Sequence, residues 1–368
     1  MVGFILSRLA LSGLSCTLGA YQPRSYEGRK ISVTHTFKNM GSIARNNVVL
    51  NLNVRNTTQG LEQEEQWLIP PLHGSKTLHL DVPFNELKRG INILETPRLQ
   101  ATDPLGLFQS EREVSFRARI IVYPKPLWDD ESRIPSALDM HRLALLSRRN
   151  DPLEYREVRE YQAGDDLRLV HPRSSAKRGM LMVRTPEQQT PIPLILIIDV
   201  DSSAHGRWNE VSTLEYALRL ASSMVTLCTR SGVDVQIVTS DGRTSHGSER
   251  TCLEHLARVS TAAQGSTELI PININSAING QDAAACLLIT PRLSALTIAH
   301  LTQLNMRGTQ TTIVLLKNGH TSEPNPAAKN PLPDGIEILS AGSFPELHNT
   351  LFRVTERLRQ SCSWGAQW

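Results

Sequence analysis

The chain has 368 residues, against roughly 100–200 for a typical domain, so it holds about two or three folding units and is no lone module. Its 40% hydrophobic and 20% charged residues, with a mean hydropathy of −0.24, exclude both a disordered chain and a membrane bundle. Thirty-nine basic residues against 36 acidic leave a net charge of only +3, too little for a chain-wide field that attracts nucleic acid or anionic membranes, so any basic site is local.

Taken in chain order, Phe4 to Ala20 is mildly hydrophobic but interrupted by Arg8, Ser and Gly. It falls short of the roughly 20 apolar residues of a membrane span and lacks the basic leader of a signal peptide. The segment is expected to be a first strand and its lead-in. From Ile31 to about Val122 the apolar residues recur every second position: Ile31, Val33 and Phe37, then Val48, Leu50, Leu52 and Val54, then Leu78, Leu80 and Val82. That period marks half-buried strands. Turn-prone stretches at Asn39-Met40-Gly41 and Asn56 to Gly60 separate them, which predicts an antiparallel, immunoglobulin-like β-sandwich over residues 1–123. His35 and His79 lie inside strand patterns and are expected to face solvent.

After Tyr123-Pro124-Lys125-Pro126 a polar, charge-rich connector runs from 124 to 185. From 186 to 368 short β-rich runs alternate with helical periodicity. Strands are expected at Leu194–Ile198, Val233–Thr239, Ala285–Thr290, Thr311–Leu316 and Ile336–Leu339. Helices are expected near Asn209–Thr229, Glu249–Val259, Leu293–Asn305 and Ser343–Arg359. This alternation predicts a Rossmann-like parallel sheet with helices on both faces. In the first helix Val211, Leu214, Leu218, Ala221, Val225 and Cys228 form one apolar stripe, Ser212-x-x-Glu215 fits a capping box, and Gly232 is a stop. The five cysteines (Cys16, Cys228, Cys252, Cys286 and Cys362) are odd in number and contain no C-x-x-C pair, which argues against a disulfide framework or a thiolate zinc site and for a reducing compartment.

Two constellations carry chemistry. The first is Arg159-Glu160-Tyr161-Gln162-Ala163-Gly164-Asp165-Asp166-Leu167-Arg168-Leu169-Val170-His171, followed by Ser175-Ala176-Lys177-Arg178. Gly164 permits a tight turn, the two carboxylates accept, and Arg159, Arg168, Arg173 and Arg178 donate in pairs. Three uses stay open: a locked polar hub between two domains, a site for an acidic partner, or a metal-dependent catalytic cluster of Asp165, Asp166 and His171. The second is Ile198-Asp199-Val200-Asp201-Ser202-Ser203, at the carboxyl end of a sheet strand, where doubly wound folds gather ligands. It is expected to be an exposed edge. No Gly-rich phosphate loop, G-x-S-x-G elbow or H-E-x-x-H helix occurs.

The first segment resembles the signature of the bacterial family called domain of unknown function 58, R-x-Y-x-x-G-D-D-x-R-x-I-H-W followed by a small residue, Ala and basic residues. Tyr26-Glu27-Gly28 and Asp103-Pro104-Leu105-Gly106-Leu107-Phe108 are similar to two further family motifs, so the resemblance spans most of the chain. Pro172 stands where the family usually has Trp, and the family's N-terminal membrane hairpin is essentially absent. The second segment looks like the first loop of a von Willebrand factor A domain, where D-x-S-x-S sets a carboxylate and two hydroxyls around Mg²⁺. Here Asp199, Asp201 and Ser203 take those places, with Asp201 replacing a hydroxyl, and the later loop Ile289-Thr290-Pro291-Arg292 offers no carboxylate. A hydrogen-bonded loop without a cofactor is the first expectation, a Mg²⁺ site the second. The resemblance implies a non-enzymatic interaction or assembly factor that works with an AAA+ ATPase of the MoxR type. That role fits the cytoplasm or the inner face of the plasma membrane, with no nucleic acid and no small-molecule substrate identified. The alternative is a metal-dependent enzyme built on Asp165, Asp166 and His171.

Overall fold

The computed structural model describes residues 2–103, 105–127, 155–162, 170–186, 194–208, 211–273, 285–307, 309–317 and 336–360. The chain opens on a helix, α1 (Val2–Leu11), and not on a strand. Gly13, at φ +64°, turns the backbone from it into β1 (Leu14–Tyr21). Leu11 joins the core, and the α1 backbone is tied down where Arg112 Nη1 donates to Leu11 O at 2.9 Å.

Two sheets then face each other over one core. The smaller is antiparallel, β1 beside β3 (Ile31–Asn39) beside β6 (Thr77–Phe84). The larger runs β2 (Arg24–Tyr26), β10 (Ala118–Tyr123), β7 (Gly90–Leu94), β4 (Val48–Asn56), β8 (Arg98–Thr102) and β9 (Gln109–Glu113), with β5 (Leu61–Ile69) pairing β4. The period of two explains the packing. Ile31, Val33 and Phe37 of β3 meet Val48, Leu50, Leu52 and Val54 of β4 in the same apolar cluster, while the alternate side chains look outward. His35 falls on the inward set. It is fully buried against Phe116, ring centroids 5.3 Å apart, and does not face solvent. The i, i+2 arithmetic that buries Ile31, Val33 and Phe37 buries residue 35 as well. Its ring nitrogens have no hydrogen-bond partner, and burial pushes the imidazole down to about 4. His79 is exposed, as expected.

Beyond the sandwich, β11 (Tyr155–Glu160) pairs antiparallel with β12 (Met182–Pro186), and the short helix α2 (Pro172–Arg178) lies between them. The C-terminal sheet has six strands. Its order is β17 (Thr244–His246), β16 (Val235–Thr239), β13 (Leu194–Ile198), β18 (Ala285–Thr290), β19 (Gln310–Leu316) and β20 (Ile336–Ala341), all parallel except β17, while β14 (Arg207–Trp208) and β15 (Val211–Ser212) pair apart from it. The central strand Leu-Ile-Leu-Ile-Ile is buried at every position because both faces are covered, the condition under which a parallel strand is uniformly apolar. One face packs on α3 (Thr213–Arg230), α4 (Glu249–Arg258) and α6 (Phe344–Gln360) through Leu218, Val225, Leu256 and Leu351. The other packs on α5 (Ala295–Met306) through Leu301 and Leu304. The four described cysteines, Cys16, Cys228, Cys252 and Cys286, are free and buried.

Ser212 does cap α3, accepting the Leu214 N–H at 3.2 Å, and Gly232 follows the helix at φ +74°. The capping box does not form. Its Glu215 is drawn instead to Arg89 of the sandwich, which donates Nε to Oε2 at 2.8 Å and Nη2 to Oε1 at 2.7 Å. Arg89 is almost wholly buried. Its Nη1 donates to the carbonyls of Leu256 (3.1 Å), Ala257 (2.9 Å) and Val259 (2.8 Å), the open end of α4. One guanidinium thus satisfies a carboxylate and a helix C-terminus of the neighbouring unit. Around it, Arg219 pairs with Glu27 at 3.1 Å and Ser222 donates to Pro124 O at 3.1 Å, while Ile121, Tyr123 and Leu127 enter the α/β core.

Candidate functional site

Of the signature, Gly164, Asp165, Asp166 and Arg168 lie outside the described residues, and so does the side chain of Arg159 in β11. The two ends of the segment are described and are stitched to one place. Tyr161 N donates to Leu181 O at 2.9 Å, and His171 N to Met182 O at 2.8 Å. Tyr161 and His171, on either side of the undescribed residues 163–169, thus both bond to residues 181–182. His171 is the N-cap of α2: its Nδ1 lies 3.1 Å from the Ser174 N–H and 2.7 Å from the Ser174 hydroxyl. The lone pair that a general base or metal ligand would offer from Nδ1 is spent on the cap. Pro172, where the family usually has Trp, takes the first helical position, which has no need of an N–H. Ala176 and Arg178 sit exposed on α2.

The second constellation comes together, but not as an exposed edge. Asp199 and Asp201 are fully buried, because residues from two distant segments close over them. Asp201 Oδ1 accepts from the Ser203 N–H at 2.8 Å and the Ser203 hydroxyl at 2.7 Å. Its Oδ2 accepts from Gly265 N at 2.7 Å and Thr267 N at 3.3 Å. Burial pushes the Asp201 carboxyl up, but these four donors outweigh it and bring it down to about 2. Asp199 Oδ1 accepts from Asp201 N at 3.1 Å. The Thr267 hydroxyl lies 3.0 and 2.9 Å from the two Asp199 oxygens and 3.2 Å from Asp201 Oδ2, and the Thr290 hydroxyl 2.8 Å from Asp199 Oδ2. His205 Nε2 stands 2.7 Å from the Asp199 carbonyl, its Nδ1 2.9 Å from the Thr213 hydroxyl. Donation from Nε2 to that carbonyl fixes Nδ1 as the acceptor.

Sequence reasoning missed Gly265, Thr267 and His205, and it had discounted Thr290 for lacking a carboxylate. Thr267 stands 66 residues from Asp201, and no spacing rule joins them. The bridge between Asp201 and Ala262, just past α4, and the 3.0 Å contact between the Ser240 and Ser266 hydroxyls bring that loop to the carboxylates. The five side chains Asp199, Asp201, Ser203, Thr267 and Thr290 are hard oxygen donors of the kind Mg²⁺ takes. Their geometry does not fit a resident ion well. Backbone N–H groups, which cannot ligate a metal, already occupy Asp201, and Arg292 brings a guanidinium to 4.0 Å from its Oδ2. Among the described residues no group of three or more His, Cys, Asp or Glu is placed to hold a metal.

Residues 157–278 match the family described as protein of unknown function DUF58, which supports the resemblance carried by the signature. The match runs from β11 past Thr267 and so takes in both constellations. No curated protein matches the chain. Among solved structures, a CARDB domain from Pyrococcus furiosus, in complex with di-metal ions, is 12% identical, covers 30% of this chain and 91% of its own, and has a TM-score of 0.21. A putative late embryogenesis abundant protein is 18% identical over 32% of this chain and 77% of its own, at a TM-score of 0.23. The alkylpurine DNA glycosylase AlkC of Pseudomonas fluorescens, bound to DNA, is 11% identical over 28% and 30%, at 0.20. Likenesses this slight carry no argument about fold or function. Among the described residues no helix is long and apolar enough to cross a membrane.

Proposed function

We propose that the chain is a non-enzymatic interaction or assembly factor for an AAA+ ATPase of the MoxR type. On this reading residues 1–123 form an immunoglobulin-like sandwich, 124–185 a connector that buttresses the junction, and 186–368 a von Willebrand factor A-like domain. The observation that carries it is the C-terminal sheet. Its strand order, with a single antiparallel edge strand, puts Asp199–Ser203 beyond the carboxyl ends of the parallel strands. At that place the chain spends its carboxylates on its own backbone and hydroxyls. A catalytic carboxylate must reach a substrate, whereas one satisfied internally fixes the shape of a surface. Recognition by that surface, with ATP hydrolysis left to the partner, follows.

Cross-linking in native cells followed by affinity capture of this chain tests the reading. An AAA+ ATPase among the captured proteins is the expected result, and its absence overturns the proposal.

A further inference from the structure

A second cluster of charge joins the sandwich to α4 and shares no residue with the Asp199–Asp201 site. Glu254 of α4 is shared by three guanidiniums: Arg24 of β2 at 2.9 Å, and Arg250 and Arg258 of its own helix at 3.0 and 3.4 Å. One carboxylate cannot neutralise three cations, so the cluster retains positive charge. Two hollows open on either side of the Arg24–Glu254 pair. One, of about 350 Å³, is lined by Gln22, Arg24, Arg29, Lys30 and the rings of Tyr26 and Tyr123. The other, of about 400 Å³, is lined by Ser245, Ser248, Arg250, Thr251, Glu254 and Arg258 among others. Together the two linings carry five cations against one carboxylate.

Arg29 and Lys30 are exposed. Tyr123 is 6% exposed, and its hydroxyl has no hydrogen-bond partner, so a buried donor at the wall of the first hollow is left without an acceptor. The chain's net charge of only +3 makes this local excess a property of the furrow and not of the whole surface.

We infer that the furrow formed by these two hollows, spanning the sandwich and the α/β unit across Arg24–Glu254, docks an acidic, extended segment of a partner protein. The division of the positive charge favours a peptide over a small anion: three cations line the first hollow and two the second, with Arg24 and Glu254 in contact between them, so a segment long enough to reach both meets all five. Guanidinium forks suit carboxylate pairs along such a segment. The inference rests on the proposal that this chain works by recognising a protein, but not on the identity of that protein.

The test measures binding of a labelled oligoglutamate peptide to the whole chain by fluorescence anisotropy, with oligoglutamine and a single-stranded oligonucleotide of equal length alongside. The double variant Arg29→Glu/Lys30→Glu, which leaves the Arg24–Glu254 pair in place, should weaken the acidic peptide by about tenfold, as should raising the salt several-fold. Tyr123→Phe should weaken it by a smaller factor while leaving the melting temperature unchanged. Equal affinity for oligoglutamine, or a wild-type affinity in the double variant with its circular dichroism intact, would overturn the inference. Tighter binding of the oligonucleotide would replace it with nucleic-acid recognition. If oligoglutamate binds as expected but captured complexes contain no AAA+ protein, the ATPase reading fails and the furrow stands. If the ATPase is captured equally by wild type and double variant, the furrow fails as its docking surface and the ATPase reading stands.

Discussion

Removing the Arg89 side chain should show how tightly the sandwich and the α/β unit are joined. Arg89→Ala deletes two hydrogen bonds to Glu215 and three to the carbonyls that end α4. Its side chain is 2% exposed and that of Glu215 17%, so water replaces little of what is lost, and Glu215 keeps the Gln59 Nε2 donor at 3.2 Å. Breaking a buried ion pair from one side costs about 3–5 kcal/mol, chiefly because the remaining charge stays buried and unpaired. At roughly 2–4 °C per kcal/mol for units of 150–250 residues, the melting temperature should fall by about 10 °C. Differential scanning calorimetry is the suitable assay, since it also reveals whether one transition splits into two as the units uncouple. The paired replacement Arg89→Met/Glu215→Leu removes both charges and should recover part of the loss, because the desolvation penalty disappears with the ions. A loss below about 1 kcal/mol in Arg89→Ala would refute the argument that this guanidinium holds the junction.

Three further outcomes follow from the same geometry. His35 titrates at about 4 in the fold against an ordinary value of 6.5, so the unfolded chain takes a proton that the folded chain refuses. Stability present above pH 6.5 should therefore be lost as pH falls toward 4, by roughly 3 kcal/mol, and His35→Leu should flatten that slope in denaturant titrations across pH 4–7; an unchanged slope would show that His35 is not the group responsible. Asp201→Asn replaces a fourfold acceptor with a side chain that turns an NH₂ toward N–H donors, and should cost about 1–3 kcal/mol by chemical denaturation. Because the Asp201 carboxyl is held at about 2 against 3.8, its contribution should persist above about pH 4 and disappear as pH falls through 2, and a fully stable Asp201→Asn protein would contradict the role assigned to its hydrogen bonds. Millimolar Mg²⁺ should shift the melting temperature little, since binding at its Kd contributes only about 0.4 kcal/mol, whereas a clear shift abolished by Asp199→Ala would establish an ion site.

The alternation of Ile31, Val33 and Phe37 and the uniform Leu194–Ile198 run were legible because period and length are local properties of the chain. They fixed the sandwich strands, the parallel strands and most helices to within a few residues. The same arithmetic, applied strictly, would have placed His35 inside. The helix at Val2–Leu11 was not legible, because its apolar residues serve a strand or a helix equally well until Gly13 and the contact with Arg112 choose. The signature and the Asp199–Ser203 loop could likewise be located from residue type and order. What they do could not, since burial and hydrogen-bond partners are set by segments far away in the chain. Asp199 and Asp201 look exposed as a loop and are buried because Gly265, Thr267 and Thr290 close on them. Glu215 satisfies a capping rule in sequence and leaves it in space, because Arg89 arrives 126 positions away with a charge that no helix N–H can match. Sequence alone determined which elements form and where the polar residues cluster. Tertiary structure decided which of those polar groups face each other, because the partner that satisfies a buried charge is chosen by proximity in the fold and not along the chain.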